Sequence, residues 1–385
     1  MIVPLDQAVA TFEASVDATV GIEEEFAILD PGTLDLAPRY EELHAAAQAD
    51  PILREAIAGE LISSEIEIRS GRGEHLADAL ERQRAARAAL FRLADAQDAK
   101  LGATGTHPWA DYREQPNIDT EHYRRVVEGL QYVARRNNTF SLHVHVGVRG
   151  ADRAVQACDR LRDVLPGLLA VSASSPYLDA RDAGLHSART QSFTKSFPRC
   201  GIPDAYGSWQ VFADYIAFLQ HTNSIVEYTQ VWWSVRPHFT FGTVEVRICD
   251  VQTTAGESDA LCALIVACIL QAAHDVDAGV PHEDLSRRLI EENLWRAIRF
   301  GLDGKHIDLA TAVEFPAETI LDRLLAWTAP ARAAHGLAEP VFPALNGAQR
   351  QRRMIDAGAP PAEVYAAAVQ ETHSTYSDRQ EAQNS

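Results

Sequence analysis

Residues 20–28 read Val20-Gly21-Ile22-Glu23-Glu24-Glu25-Phe26-Ala27-Ile28. Alternate side chains of a β-strand face opposite sides of the sheet. Val20, Ile22, Phe26 and Ile28 therefore share one face, and Glu23 and Glu25 share the other. Glu24 falls on the apolar side, where a carboxylate needs a partner or a strand-edge position.

Three further segments sort the same way. In Leu61–Arg69, Ile62, Ile66 and Ile68 oppose Glu65, Glu67 and Arg69, with Glu60 at the entry. In residues 141–148, Leu142, Val144, Val146 and Val148 oppose His143 and His145. In residues 243–248, Val244, Val246 and Ile248 oppose Glu245 and Arg247. One wetted face is normal for an antiparallel sheet. A solvated face, however, would carry Lys, Thr and Gln, and these faces carry carboxylates, imidazoles and arginine. If the strands are neighbours, like charges crowd one surface, which is unfavourable unless a cation neutralises them. Carboxylates with imidazole suit Mg²⁺ or Mn²⁺. The His143-x-His145 pair alone also fits a zinc hydrolase, and Glu245 with Arg247 alone also fits a structural ion pair.

Helical spacing predicts helices over Glu74–Lys100, Asp152–Leu169, Ser258–Asp277 (Ser258 as N-cap, Gly279 as stop) and Leu285–Phe300. Arg189–Trp209 has no period and reads as a long functional loop. The stretch after Thr372 reads as a frayed polar tail. With no repeat and no linker, a single domain over residues 1–385 is expected, of α+β class.

The net charge of −19 repels nucleic acid, so no such partner is expected. It also repels anionic substrates, whose site must bring its own positive charge from arginines or metal. The five cysteines form no CxxC pair, which argues against disulfides or structural zinc. No basic, apolar leader opens the chain, and the apolar run from Ala260 to Ala273 is short for a bilayer span, so a cytoplasmic protein without membrane contact is expected. No GxxxxGK[ST] or GxGxxG motif occurs. If ATP binds, metal ions and arginines must hold its phosphates. Arg247 beside Glu245 suits that role, because a guanidinium grips phosphate bidentately while the carboxylate holds metal.

Taken in order, GIEEEF, ELISSEIEIRSG, SLHVHVGV, RTQSFTKSFPRCGIP with GSW, WWSVRPHFTFGTVEVRICD and NGAQRQR resemble the carboxylate–amine ligase family, glutamate–cysteine ligase type 2, from about Thr19 to Arg353. The resemblance implies a glutamine synthetase-like fold: a curved, mainly antiparallel sheet with helices behind it and divalent ions and ATP on the concave face. It implies Glu23, Glu25, Glu60, Glu67, His143 and Glu245 as metal ligands and Arg247 as the contact to the transferred phosphate. Arg236, Arg189 and Arg199 become candidates for phosphate or substrate carboxylate, and His145 for a ligand or an ATP contact. Glu65 stands where many relatives are expected to carry Gln, which leaves its role open.

The implied activity joins the γ-carboxylate of L-glutamate to the amine of L-cysteine or another small amine through an acyl phosphate. It uses ATP and Mg²⁺ or Mn²⁺, and a homodimer is compatible with it. A kinase on the same site and a metal-dependent amidohydrolase are the alternatives.

Overall fold

A computed structural model describes residues 5–377. Its main sheet contains β1 (Val20–Leu29), β2 (Ile57–Ala58), β3 (Glu65–Arg69), β4 (Lys100–Gly102), β5 (Ser141–Gly147), β6 (Val235–His238) and β7 (Thr243–Asp250). The order is β6-β7-β5-β1-β3-β2, and β4 continues the β5 side of β1. Every pairing in this sheet is antiparallel. The predicted strands are therefore neighbours. Glu23 lies opposite both His143 and Arg69, Glu25 opposite Glu67, and His145 opposite Glu245, which lies opposite Arg236.

The apolar face packs on helices in two clusters. Val20, Ile22, Val144, Val146, Val244 and Val246 join the helices Ala151–Leu161, Leu165–Ser172 and Ala255–Asp277. Phe26, Ile28, Ile66 and Ile68 meet the helices Leu76–Ala96 and Pro361–Tyr376. The helix Ala255–Asp277 is long and apolar enough to cross a membrane, but 72% of its most apolar window is buried inside the molecule.

Glu24, the residue out of place in the alternation, is wholly buried behind the sheet. Arg87 grips it from the helix Leu76–Ala96, with Nε to Oε2 at 2.6 Å and Nη2 to Oε1 at 2.9 Å. Gln83 donates to it at 2.7 Å, and Ser258 donates its hydroxyl. Arg87 also reaches Asp259. Tyr376 packs edge-on to Phe26 and stacks on Phe91 beside this pair.

Several predicted elements differ. The helix expected from Ser258 begins at Ala255 with Thr254 as its cap, because the Ser258 hydroxyl is committed to Glu24 and Arg87. The helix expected over Asp152–Leu169 breaks into Ala151–Leu161 and Leu165–Ser172. Pro166 lacks a donor and its ring would clash with the carbonyl one turn back, so the chain restarts with proline in the new first turn. The Arg189–Trp209 loop opens as a helix, Ala188–Ser196, capped by Ser187. It stops at Phe197, which is extended because Pro198 follows. The expected frayed stretch after Thr372 is helical to Tyr376, with Thr372 and Tyr376 buried; its remainder from residue 378 lies outside the described residues. The strand expected from Leu61 begins only at Glu65, and Ile62 instead bridges Asn117.

Removing one partner of a buried, hydrogen-bonded ion pair leaves an uncompensated charge. Arg87→Met is expected to destabilise the fold by roughly 3–5 kcal/mol, read from the urea midpoint. A loss under about 1 kcal/mol, the range of exposed pairs, would mean that the pair is dispensable.

Candidate active site

The polar face of the sheet forms the floor of a cleft of about 400 Å³. Glu23, Glu25, Glu60, Glu65, His143, His145, Arg236, Glu245 and Arg247 line it, and the helix Ala188–Ser196 with Phe193 and Phe197 forms one wall.

The strand register brings three ligand-type residues together. Glu23, His143 and Glu245 each offer one ligand atom within 4.8 Å of the others. The hydrogen bonds around His143 fix which of its atoms faces the group. Ser141 donates both its amide and its hydroxyl to Glu25, so its oxygen is left to accept from His143 Nε2, at 2.8 Å. His143 Nδ1 faces the trio, 3.3 Å from Glu23 Oε2 and 3.4 Å from Arg247 Nη1.

His145 lies deeper. Its Nδ1 meets the Thr243 hydroxyl at 3.0 Å, and its Nε2 sits 3.5 Å from Glu23 and 3.7 Å from Glu245, buried without a hydrogen-bond partner. Burial alone would lower the His145 pKa, but Glu245 and Glu23 outweigh it and hold the imidazole above its ordinary value. Burial likewise pushes Glu23 up, and His145 and His143 outweigh it, holding that carboxyl well below the usual range. Arg236, Arg247 and His145 do the same for Glu245 against its burial. Arg236 clamps Glu245 at 2.6 and 3.3 Å and anchors itself on the carbonyls of Val231 and Thr229.

A β-bulge begins at Arg247. The β5–β7 register steps from Val246↔Val144 to Cys249↔Leu142, so Arg247 and Ile248 together face His143 alone. Ile248, expected purely on the core face, consequently also lines the cleft.

A second acid group, Glu25, Glu60, Glu65 and Glu67, lies toward β3. Burial, followed by Glu67 for Glu60 and by Glu25 for Glu65, pushes both pKa values well above the ordinary glutamate range. Glu65 Oε2 is buried with no partner. Arg69 neutralises part of the group, pairing with Glu67 at 2.5 Å and lying 3.8 Å from Glu23. These clustered carboxylates, one of them with an unpartnered buried oxygen, fit a divalent ion bound through oxygen.

A family model described as glutamate-cysteine ligase family 2 (GCS2) matches residues 19–380. The chain belongs to that family. Among its relatives in the family, one from Solibacter usitatus carries the name "Putative glutamate–cysteine ligase 2" and is 39% identical over 345 residues, 88% of this chain and 89% of its own. One from Rubrobacter xylanophilus, "Putative glutamate–cysteine ligase 2-2", is 37% identical over 308 residues, 80% and 79%. Among solved structures, a bifunctional glutathione synthetase from Pasteurella multocida superposes with a TM-score of 0.66 at 13% identity, over 97% of this chain and 54% of that one. The chain thus spans about half of that enzyme's length. A glutamate–cysteine ligase from Francisella tularensis in complex with AMP gives 0.63 at 11% identity, over 93% and 89%. At such identities the likeness shows a shared fold: helices packed on an antiparallel sheet.

Within this family fold, the predicted site residues separate into groups. Glu23, Glu25, Glu60, His143, His145, Arg236, Glu245 and Arg247 share the cleft, and Glu67 sits beneath its rim on Arg69. Arg189 lines the cleft but turns its two Nη atoms to backbone carbonyls, Ile248 O at 2.9 Å and Arg247 O at 3.2 Å. Arg199 is off the lining, bonded to Gln230 O and lying over the Trp232 ring. Ser141, Thr243 and His238 were not foreseen. Of these, His238 carried a signal in its alternation with Arg236 on β6.

The raised Glu60 and Glu65 bind protons in the folded chain that the unfolded chain releases at the ordinary carboxyl value. Their stabilisation is therefore present below that value and is lost as pH rises through the raised range. Mg²⁺ or Mn²⁺ is expected to raise Tm more at about pH 8 than at about pH 5, and Glu65→Gln to raise the metal-free Tm at about pH 8 by about 2 °C per kcal/mol gained. Equal metal shifts at both pH values in a thermal-shift titration would contradict the cation assignment.

Proposed function

We propose that the protein is an ATP-dependent carboxylate–amine ligase that joins the γ-carboxylate of glutamate to the amine of cysteine or another small amine. The observation that carries the reading is the placement of Arg247, which donates to Glu245 and meets His143, against the Glu23–His143–Glu245 group. A cation-binding trio and a guanidinium fork then face one point, as transfer of a phosphoryl group from ATP requires.

Glu23, His143 and Glu245 would hold one divalent ion, and Glu25, Glu60 and Glu67 a second. The ions supply charge neutralisation for the phosphates. Arg236 keeps Glu245 ionised and in place. Arg247 binds the oxygens of the transferring phosphoryl group, where negative charge spreads in the transition state. An oxygen of the γ-carboxylate attacks the γ-phosphorus, the bond to ADP breaks, and γ-glutamyl phosphate forms. The amine nitrogen then attacks the acyl carbon. Inorganic phosphate leaves, and the amine gives up its proton as the amide forms. The wall helix with Phe193 and Phe197 excludes water from the acyl phosphate. A cytoplasmic setting and Mg²⁺ as the working ion belong to the same proposal.

An acyl phosphate accepts foreign amines, so hydroxylamine tests the reading. With Mg-ATP, glutamate and hydroxylamine, γ-glutamyl hydroxamate and ADP are expected in equal amounts, and neither without glutamate. Cysteine in place of hydroxylamine is expected to give γ-glutamylcysteine; hydroxamate without a cysteine effect would change the acceptor and keep the ligase. A phosphorylated product resistant to hydroxylamine would point to a kinase, and hydroxamate without ATP to an amidohydrolase. Arg247→Lys is expected to lower kcat on the order of ten- to a hundredfold, because lysine keeps the charge and loses the fork.

A further inference from the structure

Arg189 lies on the cleft wall in the helix Ala188–Ser196, yet both its Nη atoms turn to protein carbonyls, while its Nε is buried without a partner. Nη1 donates to the carbonyl of Ile248 at 2.9 Å and Nη2 to that of Arg247 at 3.2 Å. These are the two residues of the β7 bulge. An antiparallel ladder leaves a bulge without regular partners, and Arg189 supplies donors there.

Asp250, wholly buried just past the bulge, holds the assembly from the other end. It accepts from the Ser174 amide at 2.9 Å, the Ser175 hydroxyl at 2.7 Å and the Ser187 hydroxyl at 2.9 Å, and lies 3.7 Å from Arg189 Nη1. Ser187 in turn caps the helix that carries Arg189. The bulge, the cap and the guanidinium thus close one buried network. The carbonyls that Arg189 holds belong to Arg247 and its neighbour, so the network sets the backbone from which the Arg247 guanidinium reaches Glu245 and His143.

We infer that Arg189, backed by Asp250, is a positioning residue that fixes the bulge and so aims Arg247 at the transferring phosphoryl group. It acts through Arg247, not on a substrate carboxylate or phosphate. The inference rests on the ligase reading for the role of Arg247.

The test is a double-mutant cycle on the full chain with Mg-ATP, glutamate and hydroxylamine, comparing wild type, Arg189→Met, Arg247→Lys and the double variant. Arg189→Met is expected to lower kcat about tenfold or more with both KM values within about twofold. In the Arg247→Lys background the same change is expected to cost less than about threefold, because its route is already cut. Hydrogen exchange is expected to quicken at residues 246–250 and to stay unchanged in β1.

A direct substrate contact would instead raise the KM for glutamate or ATP and cost the same in both backgrounds, which overturns the inference. A general loss of packing would quicken exchange across the sheet and also cost the same in both, which overturns it as well. If Arg189→Met does not fold, Arg189→Lys carries the cycle, since it keeps charge but loses the two-carbonyl fork. If wild type makes neither ADP nor hydroxamate, the ligase reading fails by itself. Exchange at residues 246–250 then still decides whether Arg189 holds the bulge.

Discussion

Three consecutive glutamates in one strand cannot all reach the same side of a sheet, and the molecule is arranged around that constraint. Glu23 and Glu25 go to the cleft, and Glu24 is forced into the core. An ionised carboxylate there is tolerated only with a full complement of partners. Arg87, Gln83 and Ser258 provide it, from two helices. The same contacts that compensate the buried charge dock those helices on the sheet and fix β1, the strand that touches β3, β4 and β5. The geometry of the cleft follows from a pair buried on the opposite face.

On the cleft side the electrostatics are divided. Around Glu23 and Glu245, histidines and arginines hold carboxylates ionised. Around Glu60 and Glu65, burial and neighbouring acids favour protonation. Ionised carboxylates beside the His143 ring present a ready site for one cation. Carboxyls that favour protonation mark a place where a cation must displace hydrogen to enter. The two halves are set by which strand lies next to β1: β5 brings imidazoles on one side, and β3 brings more acids on the other.

The faces of the strands were legible in the sequence because a period of two survives without any knowledge of partners. That reading placed Glu23, Glu25, Glu65, Glu67, His143, His145, Glu245 and Arg247 on polar faces, with Glu60 at the entry to one of them, and family resemblance added the ligand and phosphate roles. What could not be read was whatever depends on contacts distant along the chain. Ser258 looks like a cap until Glu24 is known to lie beside it. The helix Ala188–Ser196 shows no period because one of its sides faces the cleft. Arg189 resembles a substrate contact, and only the register slip between Val246 and Cys249 shows two carbonyls waiting for it. The break before Pro166 was visible in principle, since proline in the first turn of a helix is a local signal.

The buried pair also sets an order of events during synthesis. Glu24 emerges early, while the Tyr376 ring that seals the site follows far behind, by 352 positions. A growing chain folds from its amino end as segments become available. Gln83 and Arg87 follow within 63 positions, while Ser258 and Tyr376 come much later, so the carboxylate meets its partners in stages as the chain emerges.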